Sequence, residues 1–246
     1  MRLDLRLVKD GLCVSRTKAQ EAIANGRVFV NGKVCTKAST DVPETSEVTL
    51  IPEENGFVSR AGKKLEEAIQ VFGVDVKDSV VLDLGASTGG FTDCVLRHGA
   101  SFVYAVDVGS GQLHESLKSD PRVENRENTN ARYLKKSDFA KVIDFVVTDV
   151  SFISQRLLYP AVADILPEGK LFISLVKPQF EVGKQNIGKN GIVHDPNGKL
   201  FSSLLGTLKE EGAKHGLTLL RYTDSPITGG DGNREYLALW KKTEKG

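Results

Sequence analysis

The sequence has little of what stabilises small secreted proteins or spans membranes. Its only cysteines, Cys13, Cys35 and Cys94, are far apart and form no Cys-x-x-Cys pair. We therefore expect reduced thiols in a cytoplasmic protein rather than a disulfide framework. The N-terminus is charged and lacks the apolar core of a signal peptide. No apolar run approaches the roughly 20 residues of a membrane helix, so neither secretion nor membrane insertion is expected.

Net charge is also nearly absent, but the charges are unevenly distributed. Lys and Arg number 33 against 32 Asp and Glu, a formal net charge of +1. Residues 1–40, however, contain eight basic and three acidic side chains, a net charge of +5. A basic segment on a neutral body suggests a polyanionic partner for that segment. The solvated face of a small domain would explain the same charge equally well.

Residues 1–52 predict a small α+β domain. Leu3, Leu5, Leu7 and Leu12 suggest a short helix with one apolar face, and Ser15 is placed to cap a second helix over 16–25. Asn31-Gly32 between apolar residues predicts a tight hairpin. A last short strand near residues 48–51 precedes a polar linker, residues 53–58.

Residues 59–246 predict a larger α/β domain. Near-continuous apolar strands alternate with helical segments, which is typical of a mostly parallel sheet with helices on both faces. Helices are expected at 64–72, 151–166 and 198–215, and one of the last strands is expected to begin at Glu235. Residues 179–197 contain several glycines and predict a long mobile loop, a feature that is usually functional in such domains.

The sharpest local pattern is VLDLGASTGGFTDCVL, residues 81–96. It predicts a buried strand, a glycine-rich turn and the start of a helix near Phe91. Gly85, Gly89 and Gly90 would allow positive φ and a close approach of the backbone to a ligand. The order of residues does not fit the G-x-G-x-x-G dinucleotide fingerprint, and Asp83 is foreign to that motif. An acid there suits a cationic or amine-bearing ligand.

This D-x-G-x-x-x-G-G pattern resembles the first motif of methyltransferases that use S-adenosylmethionine (SAM). The resemblance implies that Asp107, at the end of the next strand, accepts hydrogen bonds from the ribose hydroxyls of SAM, as acids do in Rossmann folds. It also implies that Glu127-Asn128 contacts the adenine. The cofactor residues implied are Asp83, Gly85, Ala86, Ser87, Thr88, Gly89, Gly90, Phe91, Asp107, Val108, Glu127, Asn128 and Asp149.

Four charged residues stand where a parallel sheet would expose them at one edge. Asp149 and Lys177 end apolar strands, Glu235 begins another, and Lys64 opens the helix before the first core strand. A lysine at the end of a buried run costs several kcal/mol unless it is paired, and the two acids would provide the pairing. Each residue alone is more often structural, so the hypothesis of a catalytic site depends on the set of four.

Longer motifs resemble the FtsJ-like ribose 2'-O-methyltransferases and, with the basic segment, the TlyA family, often called haemolysin-like. The matching segments are VSRAGKKL, LDLGASTGGFTD, VVTDVSFIS, LVKPQFE and GNREYLALW. The resemblance implies a Rossmann-like class I methyltransferase domain. It also implies a catalytic Lys-Asp-Lys-Glu tetrad of Lys64, Asp149, Lys177 and Glu235. Lys63 adjoins Lys64 and offers an alternative register.

The N-terminal segment resembles the S-four type RNA-binding domain. The matching residues include Arg2-Leu3-Asp4, Ser15-Arg16 and Val30-Asn31-Gly32. The implied organisation is an RNA-binding domain over 1–52, a linker over 53–58 and a methyltransferase domain over 59–246. The residues expected to contact RNA are Arg2, Arg6, Ser15, Arg16, Lys18, Lys33 and Arg60.

The residue types of the tetrad suggest how a methyl group would reach a ribose hydroxyl. A neutral Lys177 could act as general base beside a second cation, Lys64, with Asp149 orienting it and Glu235 anchoring Lys64 or the ribose. Alternatively, Lys177 only steers the hydroxyl electrostatically, and positioning provides most of the rate. No metal is needed, and the four histidines show no ligand spacing.

The leading hypothesis is a SAM-dependent ribosomal RNA ribose 2'-O-methyltransferase whose partners are ribosomal RNA or ribosomal subunits. A membrane-active cytolysin, suggested by the haemolysin-like label, is opposed by the lack of apolar runs. A ribosome-assembly factor that binds RNA without catalysis is opposed by the intact tetrad. A DNA amino-methyltransferase would need Asp/Asn-Pro-Pro-aromatic where this chain has Asp149-Val-Ser-Phe152.

Overall fold

The computed structural model describes residues 1–24, 26–51, 56–195, 197–229 and 232–244. The chain divides into an N-terminal unit, Met1–Gly56, and a C-terminal unit, Phe57–Gly246. Residues 53–55 of the predicted linker, 53–58, lie outside the described residues.

The N-terminal unit packs two helices on a small antiparallel sheet. Its elements are α1 (Leu3–Lys9), α2 (Arg16–Ala24), β1 (Val28–Val30), β2 (Lys33–Val34) and β3 (Val48–Leu50). The strand order is β2-β1-β3. Asn31 and Gly32 have φ of 49° and 75° and join β1 to β2, so the predicted hairpin is confirmed. Asn25, where the second helix was predicted to end, lies outside the described residues.

The apolar face predicted for α1 is only partly correct. Leu3 and Leu7 are fully buried, because residues four apart lie on one side of a helix. Leu5 lies on the opposite side of α1 and is exposed. Leu12 is also exposed, since α1 ends at Lys9 and Leu12 follows it in a turn.

A seven-stranded sheet forms the centre of the C-terminal unit. Its strands are β4 (Val80–Leu84), β5 (Phe102–Val106), β6 (Val123–Arg126), β7 (Phe145–Thr148), β8 (Leu171–Val176), β9 (Leu217–Asp224) and β10 (Tyr236–Lys242). The order is β6-β5-β4-β7-β8-β10-β9, and the first five strands are parallel. β10 runs antiparallel to both of its neighbours. The mostly parallel sheet is therefore confirmed.

Helices cover both faces of this sheet. They are α3 (Ala61–Phe72), α4 (Gly90–Arg97), α5 (Glu115–Lys118), α6 (Tyr159–Ile165) and α7 (Lys199–Lys214). Alternate residues of β4 enter different cores: Val81 packs in the core that contains α3 and α4, and Leu82 in the core that contains α6 and α7. This alternation explains why the strands are apolar almost throughout.

Two segments differ from expectation in detail. The helix predicted over 151–166 is a 3₁₀ turn followed by α6, with Pro160 in the first turn of α6, where no backbone donor is needed. The loop predicted over 179–197 contains 3₁₀ turns and an isolated bridge between Ile187 and Val193, and its residue Pro196 lies outside the described residues.

The tryptophan of β10 provides a test of the core. Trp240 is fully buried, and its indole N–H donates to the buried Ser174 hydroxyl at 2.9 Å. Trp240→Phe should lower the free energy of unfolding by about 2–4 kcal/mol, because it leaves a void and removes the partner of Ser174. Urea unfolding followed by circular dichroism measures this. Ser174→Ala should cost less in the Trp240→Phe background than in the wild type, and equal costs would show that the two side chains are not coupled.

Candidate active site

Two adjoining cavities lie at the carboxyl edge of the parallel strands. The larger has a volume of about 410 Å³ and the smaller about 170 Å³. They share Gly85, Ser87, Asp149 and Ser151 in their linings. This edge of an open α/β sheet is where such folds bind ligands.

The glycine-rich turn after β4 forms the wall between the cavities and the sheet. Gly85 has a φ of 85°, and a side chain there would come within 2.9 Å of the Asp149 carbonyl oxygen. Gly89 also has a positive φ, 93°. Gly90 departs from expectation: it lies in a helix without a positive φ, and a Cβ there would collide with the Ser59 hydroxyl. Its lack of a side chain therefore permits packing against the start of α3.

Asp107 organises the floor of the larger cavity. One carboxylate oxygen accepts the backbone N–H of Ser87 at 2.8 Å, and the other accepts that of Gly109 at 2.7 Å. The carboxylate thus fixes the glycine-rich turn and the loop after β5 relative to each other. Each oxygen has a second lone pair that can accept a hydroxyl donor.

Asp83 lies below the turn and lines neither cavity. It is fully buried in β4 and accepts a hydrogen bond from the Thr92 hydroxyl at 2.7 Å. Burial, reinforced by the charges of Asp149 and Asp107, raises the pKa of Asp83 to about 7. Asp83 therefore lies outside the lining of both cavities, and its predicted contact with the cofactor stays a prediction.

The segment after β6 meets the larger cavity two residues later than expected. Glu127 accepts the backbone N–H of Gly111 at 2.8 Å, and this bond lowers its pKa. Neither Glu127 nor Asn128 lines the cavity, but Thr129 and Asn130 do. Other lining residues that the sequence did not indicate are Val106, Gly109, Gln112, Ala131, Arg132, Val150, Ser151, Phe152, Ile153 and Leu158.

The predicted tetrad forms two ion pairs. Lys177 Nζ lies 2.5 Å from Asp149 Oδ1 and donates to Ser151 Oγ at 2.8 Å. Lys64 Nζ donates to Glu235 Oε2 at 2.5 Å, and both of these side chains are buried. Lys63, the alternative to Lys64 in the tetrad, is exposed. Of the two lysines, Lys64 is therefore the one that is buried beside Glu235.

Strand order brings these residues to one edge. Asp149 follows β7 and Lys177 follows β8, and both strands end at the same side because they are parallel. Tyr236 pairs with Val176 across the antiparallel ladder, which places Glu235 beside Lys177 in the backbone. Lys177 and Asp149 line the smaller cavity, whereas Lys64 and Glu235 form their pair outside its lining.

A buried carboxylate ties together the loops that carry Asp149 and Lys177. Glu181 accepts the Ser154 hydroxyl at 2.6 Å and the Gln155 backbone N–H at 2.7 Å, and its pKa is raised by burial. On the same two loops Phe152 packs on Phe180, with ring centroids 5.4 Å apart. Phe152 is 88% exposed and lines the mouth of the larger cavity, where a base could stack on it. No local pattern in the sequence predicts this position for Phe152, which follows Asp149-Val-Ser.

One cluster contradicts the expectation that no histidine has metal-ligand spacing. Glu66, Cys94 and His98 place one ligand atom each within 4.8 Å of one another; Cys94 is in α4, and His98 is the residue that directly follows this helix. Glu66 Oε2 lies 2.7 Å from His98 Nε2 and accepts from the Cys94 thiol at 3.7 Å. These contacts account for the cluster as an internal hydrogen-bond network.

The residues predicted to contact RNA have different surroundings. Arg2 and Arg16 pair with Asp4, whereas Arg6 pairs with Asp10. Lys18 pairs with Glu21, and its backbone N–H donates to Ser15 Oγ. Arg60 donates to the Thr228 carbonyl oxygen, and Lys33 is exposed on β2.

A mostly parallel sheet with a glycine-rich turn after one strand and an acid after the next defines a Rossmann-like α/β domain. The profile of the FtsJ-like methyltransferases matches residues 57–242, and that of the S4 domain matches residues 1–48. The chain therefore belongs to the FtsJ-like methyltransferase family.

Several relatives are similar to this chain over nearly its whole length. The 16S/23S rRNA (cytidine-2'-O)-methyltransferase TlyA of Mycobacterium tuberculosis is 41% identical, over 99% of this chain and 90% of its own. Hemolysin A of Brachyspira hyodysenteriae is also 41% identical, over 97% and 98%. A solved structure from Streptococcus thermophilus, of a protein named as a hemolysin, has a TM-score of 0.78 at 41% identity, and the alignment covers 99% of this chain and 89% of that one. No helix in the described part of the chain is long and apolar enough to cross a membrane.

The buried Asp83 predicts a pH dependence of stability. Its pKa is raised on folding, so the folded chain keeps the proton between about pH 4 and about pH 7 while the unfolded chain loses it, and stability falls over that range. Asp83→Asn keeps the Thr92 hydrogen bond without a charge. Urea unfolding should show the variant gaining stability relative to wild type, on the order of a few kcal/mol, between about pH 5 and about pH 8. If the difference in free energy of unfolding between the variant and the wild type stayed constant from about pH 5 to about pH 8, the raised pKa of Asp83 would be wrong.

Proposed function

We propose that this protein transfers a methyl group from SAM to a ribose 2'-hydroxyl of ribosomal RNA. The observation that carries the proposal is the Lys177–Asp149 pair, which lines the smaller cavity directly beside the glycine-rich turn. The activities named for the M. tuberculosis and Campylobacter jejuni relatives, both rRNA (cytidine-2'-O)-methyltransferases, support the same chemistry. The proposed domains are RNA-binding over 1–52 and catalytic over 59–246, joined by 53–58.

The larger cavity fits a nucleoside cofactor of the size of SAM. Its volume of about 410 Å³ is in the usual range for small-ligand sites, and its lining is mostly apolar. Asp107 supplies acceptors for a ribose diol, while Gly85 and Ser87 allow the chain to approach a sulfonium group. When bound, SAM supplies an activated methyl group.

Lys177 is the proposed proton acceptor for the ribose hydroxyl. Asp149 and Ser151 hold its Nζ at the smaller cavity, so its position is defined before a substrate arrives. In its neutral form the amine takes the proton that the hydroxyl loses as the hydroxyl oxygen bonds to the methyl group. Lys64 and Glu235 form the adjoining pair, and Glu235 is next to Lys177 on the ladder between β8 and β10. Their proposed role is to fix the start of β10 beside the end of β8, so that Lys177 keeps its position at the cavity.

The defining experiment incubates the protein with labelled SAM and separated ribosomal subunits. A 2'-O-methyl group blocks alkaline cleavage of the adjoining phosphodiester, so the label should appear in an alkali-stable dinucleotide. Label recovered in mononucleotides after alkaline hydrolysis would refute ribose methylation, because those nucleotides kept a free 2'-hydroxyl. The Lys177→Ala variant serves as the control that lacks the proposed proton acceptor. We expect it to fold, because the Lys177 side chain lines the smaller cavity and is not part of the apolar core.

Cofactor binding tests the role of Asp107. Asp107→Ala should weaken SAM binding by about tenfold or more, because it removes the proposed ribose acceptors and the two amide contacts that shape the turn. Calorimetry measures the dissociation constant. Glu210→Ala, which removes an exposed acid of α7, should bind SAM as the wild type does. Equal affinity of the Asp107 variant and wild type would remove this acid from the site.

Substitution of Lys177 distinguishes a proton acceptor from a fixed positive charge. Lys177→Ala should reduce methyl transfer by about 10²–10⁴-fold while leaving SAM affinity nearly unchanged. Lys177→Arg should be similarly inactive, since arginine stays protonated. Single-turnover methylation of ribosomal RNA measures both variants. Near-normal activity of Lys177→Arg would instead assign Lys177 to electrostatic positioning.

A further inference from the structure

Three side chains of the kinds that bind metal ions converge between α3 and α4. Glu66 lies on α3, Cys94 lies on α4, and His98 directly follows α4. One ligand atom of each lies within 4.8 Å of the ligand atoms of the other two. None of the three lines either cavity, so the reaction proposed above does not use them.

Helix spacing and helix packing together produce this convergence. Cys94 and His98 are four residues apart, a spacing that places two side chains on the same side of a helix. His98 keeps this spacing although it follows α4, because its backbone N–H donates to the Cys94 carbonyl oxygen at 3.1 Å. α3 packs against α4 and brings Glu66 to the same place.

The distances suit a single ion bound by all three side chains. Glu66 Oε2 lies 2.7 Å from His98 Nε2 and 3.7 Å from Cys94 Sγ. The ligand atoms of a tetrahedral zinc site lie roughly 3.3–3.7 Å apart, because each is about 2.0–2.3 Å from the ion. The side chains of Glu66 and His98 are 31% and 30% exposed, so they can make the small shifts required and give an ion access from solvent.

The surroundings of the three side chains favour Zn²⁺. Gln70 donates to Glu66 Oε1 at 2.7 Å, which orients the carboxylate and leaves Oε2 for an ion. Thiolate, imidazole and carboxylate are all zinc ligands, and the two negative charges of such a set are cancelled by the ion. The cluster also lies at the C-terminal end of α4, where the helix dipole favours a cation.

We propose that Glu66, Cys94 and His98 bind one Zn²⁺ ion, with water as the fourth ligand. On binding, the Cys94 thiol gives its proton to the solvent and its sulfur bonds to the ion. His98 binds through Nε2, in the tautomer that carries the proton on Nδ1. The ion joins α3, two residues after Lys64, to the helix that follows the glycine-rich turn. The site therefore stabilises the packing of these two helices without taking part in methyl transfer.

Cobalt(II) is the probe for this site, because its absorption spectrum reports its ligands. The full chain is treated with a chelator, dialysed, kept reduced and titrated first with Co²⁺ and then with Zn²⁺. We expect one equivalent of Co²⁺ to give the charge-transfer band of a cobalt–thiolate bond, and Zn²⁺ to remove that band. Zn²⁺ at about a hundredfold above its dissociation constant should also raise Tm by about 5–10 °C.

Variants of two ligands and of two matched residues test the assignment. Cys94→Ser should lose the charge-transfer band, and both Cys94→Ser and His98→Gln should lose the rise in Tm. His98→Gln keeps a side chain that can hydrogen-bond to Glu66, so it separates ion binding from the hydrogen bond. Cys35→Ser and His194→Gln change the same residue types elsewhere and should keep both signals.

Two outcomes would overturn the zinc site and leave a hydrogen-bond network only. One is a wild-type chain that shows neither the charge-transfer band nor a rise in Tm. The other is a folded His98→Gln variant that gives the same signals as His194→Gln, with circular dichroism as the measure of folding. Neither outcome bears on the proposed function, because the three side chains lie outside both cavities.

Discussion

Two lysine ammonium groups lie almost out of reach of water at one edge of the central sheet, and each is stable there only beside a carboxylate. Lys177 pairs with Asp149 and Lys64 with Glu235, with the side chains 3–16% exposed. Removing a charge from water costs several kcal/mol, which a close partner of opposite sign offsets. The partners come from different elements, so the ion pairs and the strand order depend on each other. A site built this way has fixed charges before any substrate binds.

The glycine-rich turn depends on a different constraint, the close approach of its backbone to the chain that follows β7. Gly85 has a positive φ and almost touches the chain after β7, and Asp107 holds the turn by two backbone N–H groups. Asp83 supports the same turn from below without reaching the cavities. The three residues form successive layers towards the larger cavity: a buried acid, a shaped backbone and a carboxylate that lines the cavity.

The N-terminal unit also contains a buried charge that is paired with groups of opposite sign, but here the buried charge is negative. There the buried group is an anion, Asp4, and its partners Arg2 and Arg16 extend to the surface. At the edge of the central sheet, burial confines the lysine cations beside the cavities, whereas in the N-terminal unit the buried acid directs arginine cations towards solvent.

Much of this could be predicted from sequence, because periodic patterns report local structure. The apolar strands, the Asn31-Gly32 hairpin and the glycine-rich turn are local features, and sequence order alone indicates them. The antiparallel direction of β10 and the exposure of Leu12 depend on where elements end and how they pack. Apolar pattern does not carry that information.

The candidate site divides in the same way. Residue type determined that Lys64, Asp149, Lys177 and Glu235 would be unusual at strand ends, since isolated charges are rare beside apolar runs. Only the tertiary structure decided which lysine meets which acid, that Thr129 and Asn130 rather than Glu127 and Asn128 line the cavity, and that Asp4 gathers two arginines. Those pairings join residues up to 171 positions apart. Distances across that span are set by packing, which no local pattern in the chain contains.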